Sequence, residues 1–413
     1  MNKIEKLIQK HCPDGVEYKH LWEVTTWDKR FNAVENNKQP QVIKYKYFLA
    51  SELKPLIVEG GTIKILTTNI SNLYTTEDFA EENYSEGEII AIPWGGNPVV
   101  QYFNGKFLTS DNRIAISNDS SYLNTKYLYY CLLDSIDIIS TFYRGSGIKH
   151  PNMLKVLDFQ IPIPPLPIQE EIVNILDKFT ELKAELKAEL KARFQQYDFY
   201  RNQLLAFENQ EVEWKTLGEV GTFIRGTGLQ KSDFTESGIG CIHYGQIYTY
   251  YGSATTETKS FVSEELAKKL RKAKKGDLII AGVSENIVDI CKAVVWLGEE
   301  DICISGDSSA FRHNQNPKFI GYLFQTDRFL EFKKKYVQGA KVTRLRSGSL
   351  PTFTIPVPSI QEQERIVKIL DQFDALLNDI STGLPAEILA RKQQYEHYRS
   401  KLLSFKPLTT NYL

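Results

Sequence analysis

The side chains in this chain best suited to chemistry are cations beside small residues. Lys268, Lys269, Arg271, Lys272, Lys274 and Lys275 crowd one segment, and Lys333, Lys334, Lys335, Lys341, Arg344 and Arg346 crowd another. In a third, Arg144, Lys149 and His150 flank Gly145-Ser146-Gly147. Glycine-rich basic loops suit phosphate oxygens, because small residues let backbone amides approach while Lys and Arg release counterions. Planar polar side chains nearby are chemically able to read base edges: Arg225, Lys231, Gln246, Asn286 and Arg344, with Tyr244 and Tyr248 as positioning aromatics. Arg suits guanine, and Gln or Asn suits adenine. A Lys run on its own is as often a plain solvated face.

Signatures of catalysis are missing. There is no GxxxxGK[ST] loop, and Gly226-Thr227-Gly228 and Gly145-Ser146-Gly147 lack the third glycine of a dinucleotide fingerprint. No [DNS]PP[YFW] motif of an amino-methyltransferase occurs. Pro13-Asp14 with Glu17-Tyr18-Lys19 is too tightly spaced for a nuclease PD…ExK pattern. His150, His243 and His313 have no evident partner, so a loop or core role is expected of them. The five cysteines, at 12, 131, 241, 291 and 303, form no CxxC pair and sit beside no His cluster. Neither a zinc site nor a disulfide framework is expected, and the usage suits a reducing cytoplasm. No catalytic and no metal residue is therefore expected in this chain.

Composition narrows the classes further. A net charge of −1 argues against non-specific polyanion binding by the whole surface and leaves room for local basic patches. Hydrophobic content of 42% and charged content of 24% are ordinary for a globular protein. No secretory leader and no long apolar run is present, so a membrane partner is not expected.

The elements that must position the cations come in duplicate. Ile161-Pro162-Ile163-Pro164 followed by Ile172-Val173-x-Ile175-Leu176-Asp177-x-Phe179 returns as Ile355-Pro356-Val357-Pro358 followed by Ile366-Val367-x-Ile369-Leu370-Asp371-x-Phe373. Gln195-Gln196-Tyr197-Asp198-Phe199-Tyr200-Arg201 returns as Gln393-Gln394-Tyr395-Glu396-His397-Tyr398-Arg399, each closing on Leu-Leu-x-Phe. The globular stretches also begin alike, Val16-Glu17-Tyr18-Lys19 and Val212-Glu213-Trp214-Lys215, whereas 25–80 and 221–270 share almost nothing. A unit this long is a domain rather than a solenoid repeat. Basic loops at matching places of a duplicated domain raise the nucleic-acid reading above the solvated-face one.

The Pro-rich stretches read as extended entries into long helices. Apolar positions Ile172, Leu176, Phe179, Leu182, Leu186, Leu190, Phe194 and Tyr197 step by three or four, predicting one helix over about 168–207 with a single buried stripe. Its Glu-Leu-Lys-Ala tetrads, from Glu181 to Ala192, drift the stripe by about 40° per step. A second helix over about 361–405 should break near Ser381-Thr382-Gly383-Leu384-Pro385, with Pro385 in the first turn of a fresh segment. The expected fold is α+β: two tandem domains of mixed α/β character, joined by two long antiparallel helices with pseudo-twofold symmetry. The expected bounds are 1–165, 166–208, 209–358 and 359–413.

The ordered duplication, the Gln169-x-x-Ile172-Val173 and Gln363-x-x-Ile366-Val367 cores and Gly383-Leu384-Pro385-Ala386-Glu387 together resemble the specificity subunit of type I restriction-modification systems, over essentially the whole chain. The resemblance implies two target-recognition domains, 1–165 and 209–358, each reading one half of a split, asymmetric double-stranded DNA site. It implies two modification subunits that bring S-adenosylmethionine and methylate adenine N6, and restriction subunits that bring ATP and Mg. No cofactor is expected in this chain itself. The helical regions 166–208 and 359–413 would set the spacer and dock the modification subunits, with Ile172, Leu176, Phe179, Tyr197, Tyr200, Ile366, Leu370, Phe373, Tyr395 and Tyr398 as docking candidates. Arg144, Lys149, Lys341 and Arg346 join the base-reading candidates as DNA contacts. A helical scaffold that assembles partners without sequence-specific DNA contact is the competing class.

Overall fold

The computed structural model describes residues 3–81, 83–208, 211–339, 343–346, 348–378 and 383–408. Its contacts divide the chain into two units, one comprising Met1–Glu185 with Ile388–Leu413 and the other Leu186–Glu387. Each unit thus takes one globular region together with parts of both helical regions, here called arms. The first arm is a 41-residue helix, Leu166–Ala206, roughly 60 Å long at 1.5 Å per residue. The second arm is two helices, Ile360–Asn378 and Leu384–Leu403, with Pro385 in the first turn of the latter. The residues between them, 379–382, lie outside the described set.

Unit 1 carries a six-stranded sheet in the order Thr25–Trp27, Asn112–Ser117, Ser85–Pro93, Gln101–Thr109, Ile63–Leu66, Tyr74–Thr75. Only the Gln101–Thr109 and Ile63–Leu66 neighbours in it are parallel. Unit 2 carries instead a five-stranded sheet centred on Leu278–Ala281 and a four-stranded one containing Ile239–Ile242 and Ile302–Ile304. The divergence read in the sequence between the domain starts and the Pro-rich stretches is therefore a divergence of sheet architecture.

What the units share is the junction with the arms. The two sequence echoes in each half pair with each other: Glu17–His20 runs antiparallel to Gln160–Ile163, placing Tyr18 opposite Pro162, and Glu213–Thr216 runs antiparallel to Thr354–Val357, placing Trp214 opposite Pro356. A two-stranded ribbon tolerates these prolines because its outer edge needs no donor. The amides of Leu21 and Leu217 then donate to Phe159 O and Phe353 O at 2.9 and 2.8 Å.

Just beyond each ribbon a fully buried glutamine ties the arm to its unit. Gln169 accepts from the Asn124 amide at 2.9 Å and donates to Tyr122 O and Pro164 O; Gln363 accepts from the Asn316 amide at 2.9 Å and donates to Gln315 Oε1 and Pro358 O. Asn124 and Asn316 are themselves the N-caps of helices Thr125–Asp134 and Pro317–Leu323. Asp177 accepts from Lys126 at 2.7 Å and Tyr130 at 2.6 Å, and Asp371 from Lys318 and Tyr322 at those same distances. Ile172, Leu176, Ile366 and Leu370 are buried in the cores beneath, each contributing about 1.5–3 kcal/mol by its removal from water.

The arms run antiparallel within unit 1. Phe405, just past the second arm, accepts from Tyr18 beside the start of the first arm, while Phe179, further along the first arm, stacks on Tyr398 at 5.7 Å. Unit 2 repeats this with the roles exchanged, Phe373 of the second arm stacking on Tyr200 of the first at 5.8 Å. Along the first arm the single buried stripe expected from the sequence does not hold at Phe194, which is exposed. Three tetrad steps from Leu182 rotate that position by about 120°, off the seam.

Candidate nucleic-acid interface

In unit 2 a cleft of about 780 Å³ brings together five of the expected residues, Lys231, Tyr244, Gln246, Tyr248 and Asn286. The helix Tyr244–Thr249 forms one wall and the segment from Val283 to Lys292 another. Three of the five are already committed to the fold. Gln246 is buried, accepting from the His243 amide at 2.9 Å and donating to Ser260 Oγ at 2.7 Å, so its amide caps its own helix start and braces it on Ser260. Asn286 bonds Asp289 twice, through Nδ2 to the carboxylate and through Oδ1 from the amide, closing a local Asx turn. Tyr248 donates to Val283 O at 2.8 Å and braces one wall against the other.

Lys231 and Tyr244 keep their functional ends toward the cleft. The Tyr244 ring stands half-buried at 4.5 Å from His243, whose imidazole is driven toward the neutral form by burial and then by the nearby Lys231. Lys259 and Lys292 also line the cleft, as do Glu285 and Asp289, so its charge is mixed. Arg344 lies one strand away, opposite Val283 on the cleft wall, exposed and 3.9 Å from Asp307. Arg225 and Arg346 are exposed outside the cleft, and Lys341 lies outside the described residues.

The remaining basic runs separate by burial. Lys268, Lys269, Arg271, Lys274 and Lys275 are exposed and do not line this cleft, and Lys275 pairs with Glu299. Lys333 is buried, donating to Val288 O and Ile290 O, with its pKa lowered by burial. It closes a backbone loop and is lost as a phosphate contact.

Unit 1 presents Arg144 and Lys149, both exposed, on the hairpin Tyr143–Arg144 with His150–Pro151. That hairpin is pinned down, Gly96 N donating to Lys149 O at 2.9 Å and His150 Nδ1 lying 2.7 Å from Trp94 O. Arg144 and His150 border a cleft of about 620 Å³ that also takes Lys29, Arg30 and Trp94. Lys29 and Arg30 escaped the sequence reading because a lone Lys-Arg doublet in a stretch without counterpart carries no pattern.

The docking candidates need a larger correction. Ile172, Leu176, Ile366, Leu370 and Tyr197 are buried within their own units, so no partner reaches them. Phe179, Phe373 and Tyr395 are half-buried in the contacts between arms, leaving only Tyr200 and Tyr398 with an exposed edge. The apolar groups that face outward are others, notably Phe199 at 62% and Leu389 at 52% exposure. Phe199 sits in the same aromatic run as Tyr197 and Tyr200, and only its angular position distinguishes it.

A duplicated binding protein, with unlike clefts set on like helical arms, is the class that these features define. The chain matches the family described as the type I restriction modification DNA specificity domain over residues 34–194 and 209–390, and it belongs to that family. A type I restriction enzyme specificity subunit of Escherichia coli is 36% identical over 100% of this chain and 99% of its own length. A putative type I specificity subunit of Haemophilus influenzae is 30% identical over 97% of this chain and 98% of its own. Among solved structures, the S subunit of a type I restriction-modification system from M. genitalium shares the fold at TM-score 0.52 with 17% identity, covering 94% of this chain and 96% of that one. A structure from a study of type I system assembly and conformational transition does so at TM-score 0.58 with 14% identity, covering 95% of this chain and 98% of its own. Among the described residues no helix is long and apolar enough to cross a membrane.

Proposed function

We propose that this chain is the sequence-reading subunit of a type I restriction-modification complex, working in the cytoplasm. Each unit reads one half of a bipartite, asymmetric duplex site, and the arms fix the distance between the halves. The carrying observation is that identical junction contacts, Lys126 and Tyr130 on Asp177 against Lys318 and Tyr322 on Asp371, support clefts of unlike shape and charge. Equal anchoring with unequal reading surfaces suits a split site whose halves differ.

On this reading two modification subunits dock on the arms and bring S-adenosylmethionine for adenine N6 methylation, while restriction subunits bring ATP and Mg for translocation and cleavage. This chain contributes base and backbone contacts and no step of the reaction. Replacing residues 209–358 with the matching stretch of a relative, followed by methylated-base mapping in the host, tests it. One half of the methylated site should change and the other persist. A site changed in both halves, or methylation independent of this gene, rules the reading out in favour of a scaffold.

A further inference from the structure

We propose that the cleft bounded by Lys29, Arg30, Trp94 and Arg144 in unit 1 is a phosphate clamp, holding the sugar-phosphate backbone beside the half-site rather than reading bases. The proposal rests on the reading of unit 1 as a DNA reader and assigns a role within it. No carboxylate among the described residues lines the cleft, which sets it apart from the mixed-charge cleft of unit 2. Lys29, Arg30 and Arg144 are exposed and form no ion pair among the described residues, although the chain as a whole carries a net charge of −1. Three uncompensated cations on one concave surface favour a repeating anion.

The backbone that carries these cations is also fixed before any ligand arrives. Asp28, the residue before Lys29, is buried and accepts from Arg113 Nη1 at 3.1 Å, Tyr47 Oη at 2.6 Å and the Ile114 amide at 3.1 Å. Arg113 lies under the Trp94 ring at 4.5 Å, and Lys29 Nζ lies 5.6 Å from the same ring. Opposite, the hairpin bearing Arg144 rests on Gly95, where a Cβ would meet Ile148 Cγ2 at 2.9 Å. The backbones of the two cationic edges therefore meet at Trp94, whose ring lies 5.5 Å from that of His150 in the hairpin, and little backbone ordering is left for binding.

The test uses the full-length chain and a fluorescent duplex carrying the site found by methylated-base mapping, beside a scrambled duplex. The variant K29Q/R30Q/R144Q should bind both duplexes about ten- to a hundredfold more weakly at low salt. Its log–log salt slope should fall by about two to three, with the preference for the mapped site unchanged. The control K6Q/K10Q/K54Q, altering exposed lysines outside the clefts and outside the basic runs, should stay close to the parent. Affinity and slope equal to the parent's overturn the clamp while leaving the reader intact. A collapsed preference with an unchanged slope also overturns it, making the cleft a base reader. If the parent chain itself does not prefer the mapped duplex, the underlying reading fails with the clamp.

Discussion

Tyr130 donates its hydroxyl to Asp177 at 2.6 Å, and Tyr322 donates to Asp371 at 2.6 Å in the other unit. Each carboxylate also holds a lysine, so one aspartate joins a helix of its unit's globular region to an arm. Removing either hydroxyl leaves the carboxylate one donor short in a half-buried place. Tyr130→Phe and Tyr322→Phe should each lower stability by about 1–2 kcal/mol, read as a lower urea midpoint with unchanged slope. A loss at only one of the two positions would show that the junctions are not equivalent.

Gln169 and Gln363 carry more, because each is fully buried and satisfies three backbone or side-chain groups. Gln363→Leu keeps the volume but strands the Asn316 amide and Pro358 O. The cost should be about 2–4 kcal/mol, larger than for either tyrosine change, in thermal and urea unfolding alike.

His313 gives the chain an acid-side sensitivity. Burial drives its pKa down to about 4, against which the Asp277 carboxylate acts. An unfolded histidine titrates near about 6.5, so between these values the unfolded chain binds the extra proton. Its contribution is complete above about pH 6.5 and is lost as pH falls toward 4. The urea midpoint should drop between pH 7.5 and 5, and His313→Asn should flatten that drop; an unchanged profile in the variant would assign the sensitivity elsewhere.

The proposed spacer role of the first arm bears on its tetrads. Deleting Glu185-Leu186-Lys187-Ala188 shortens the helix by about 6 Å and rotates its C-terminal part by about 40°. The methylated site should then show a spacer changed by one or two base pairs between unaltered halves. An unchanged spacer in methylated-base mapping would mean that the arms do not measure the distance.

Docking should track exposure rather than sequence repetition. Phe199→Glu alters an outward ring and should leave the urea midpoint within about 0.5 kcal/mol of the parent, while weakening co-purification with a modification subunit. Leu176→Ala, in the core, should cost about 2–5 kcal/mol in stability instead. Equal co-purification of the Phe199→Glu chain would remove this face from the interface.

Much of the architecture was legible in the residues. The duplication, the long first helix, the break before Pro385 and the family all come from local signals: apolar spacing, proline placement and repeated strings, which depend on near neighbours along the chain. Only the tertiary structure decided what each polar or apolar group is doing. Gln246 and Lys333 are suited to nucleic acid by type, yet Ser260, Val288 and Ile290, distant in sequence, come within hydrogen-bond reach and engage them. Lys29 and Arg30 gain meaning from Trp94 and Arg144 across a cleft that no string encodes. Tyr197 and Phe199 belong to the same repeated string, and a rotation about the helix axis buries one and exposes the other. Repetition along the sequence identified the scaffold; long-range satisfaction of donors and acceptors determined which side chains remain free to bind.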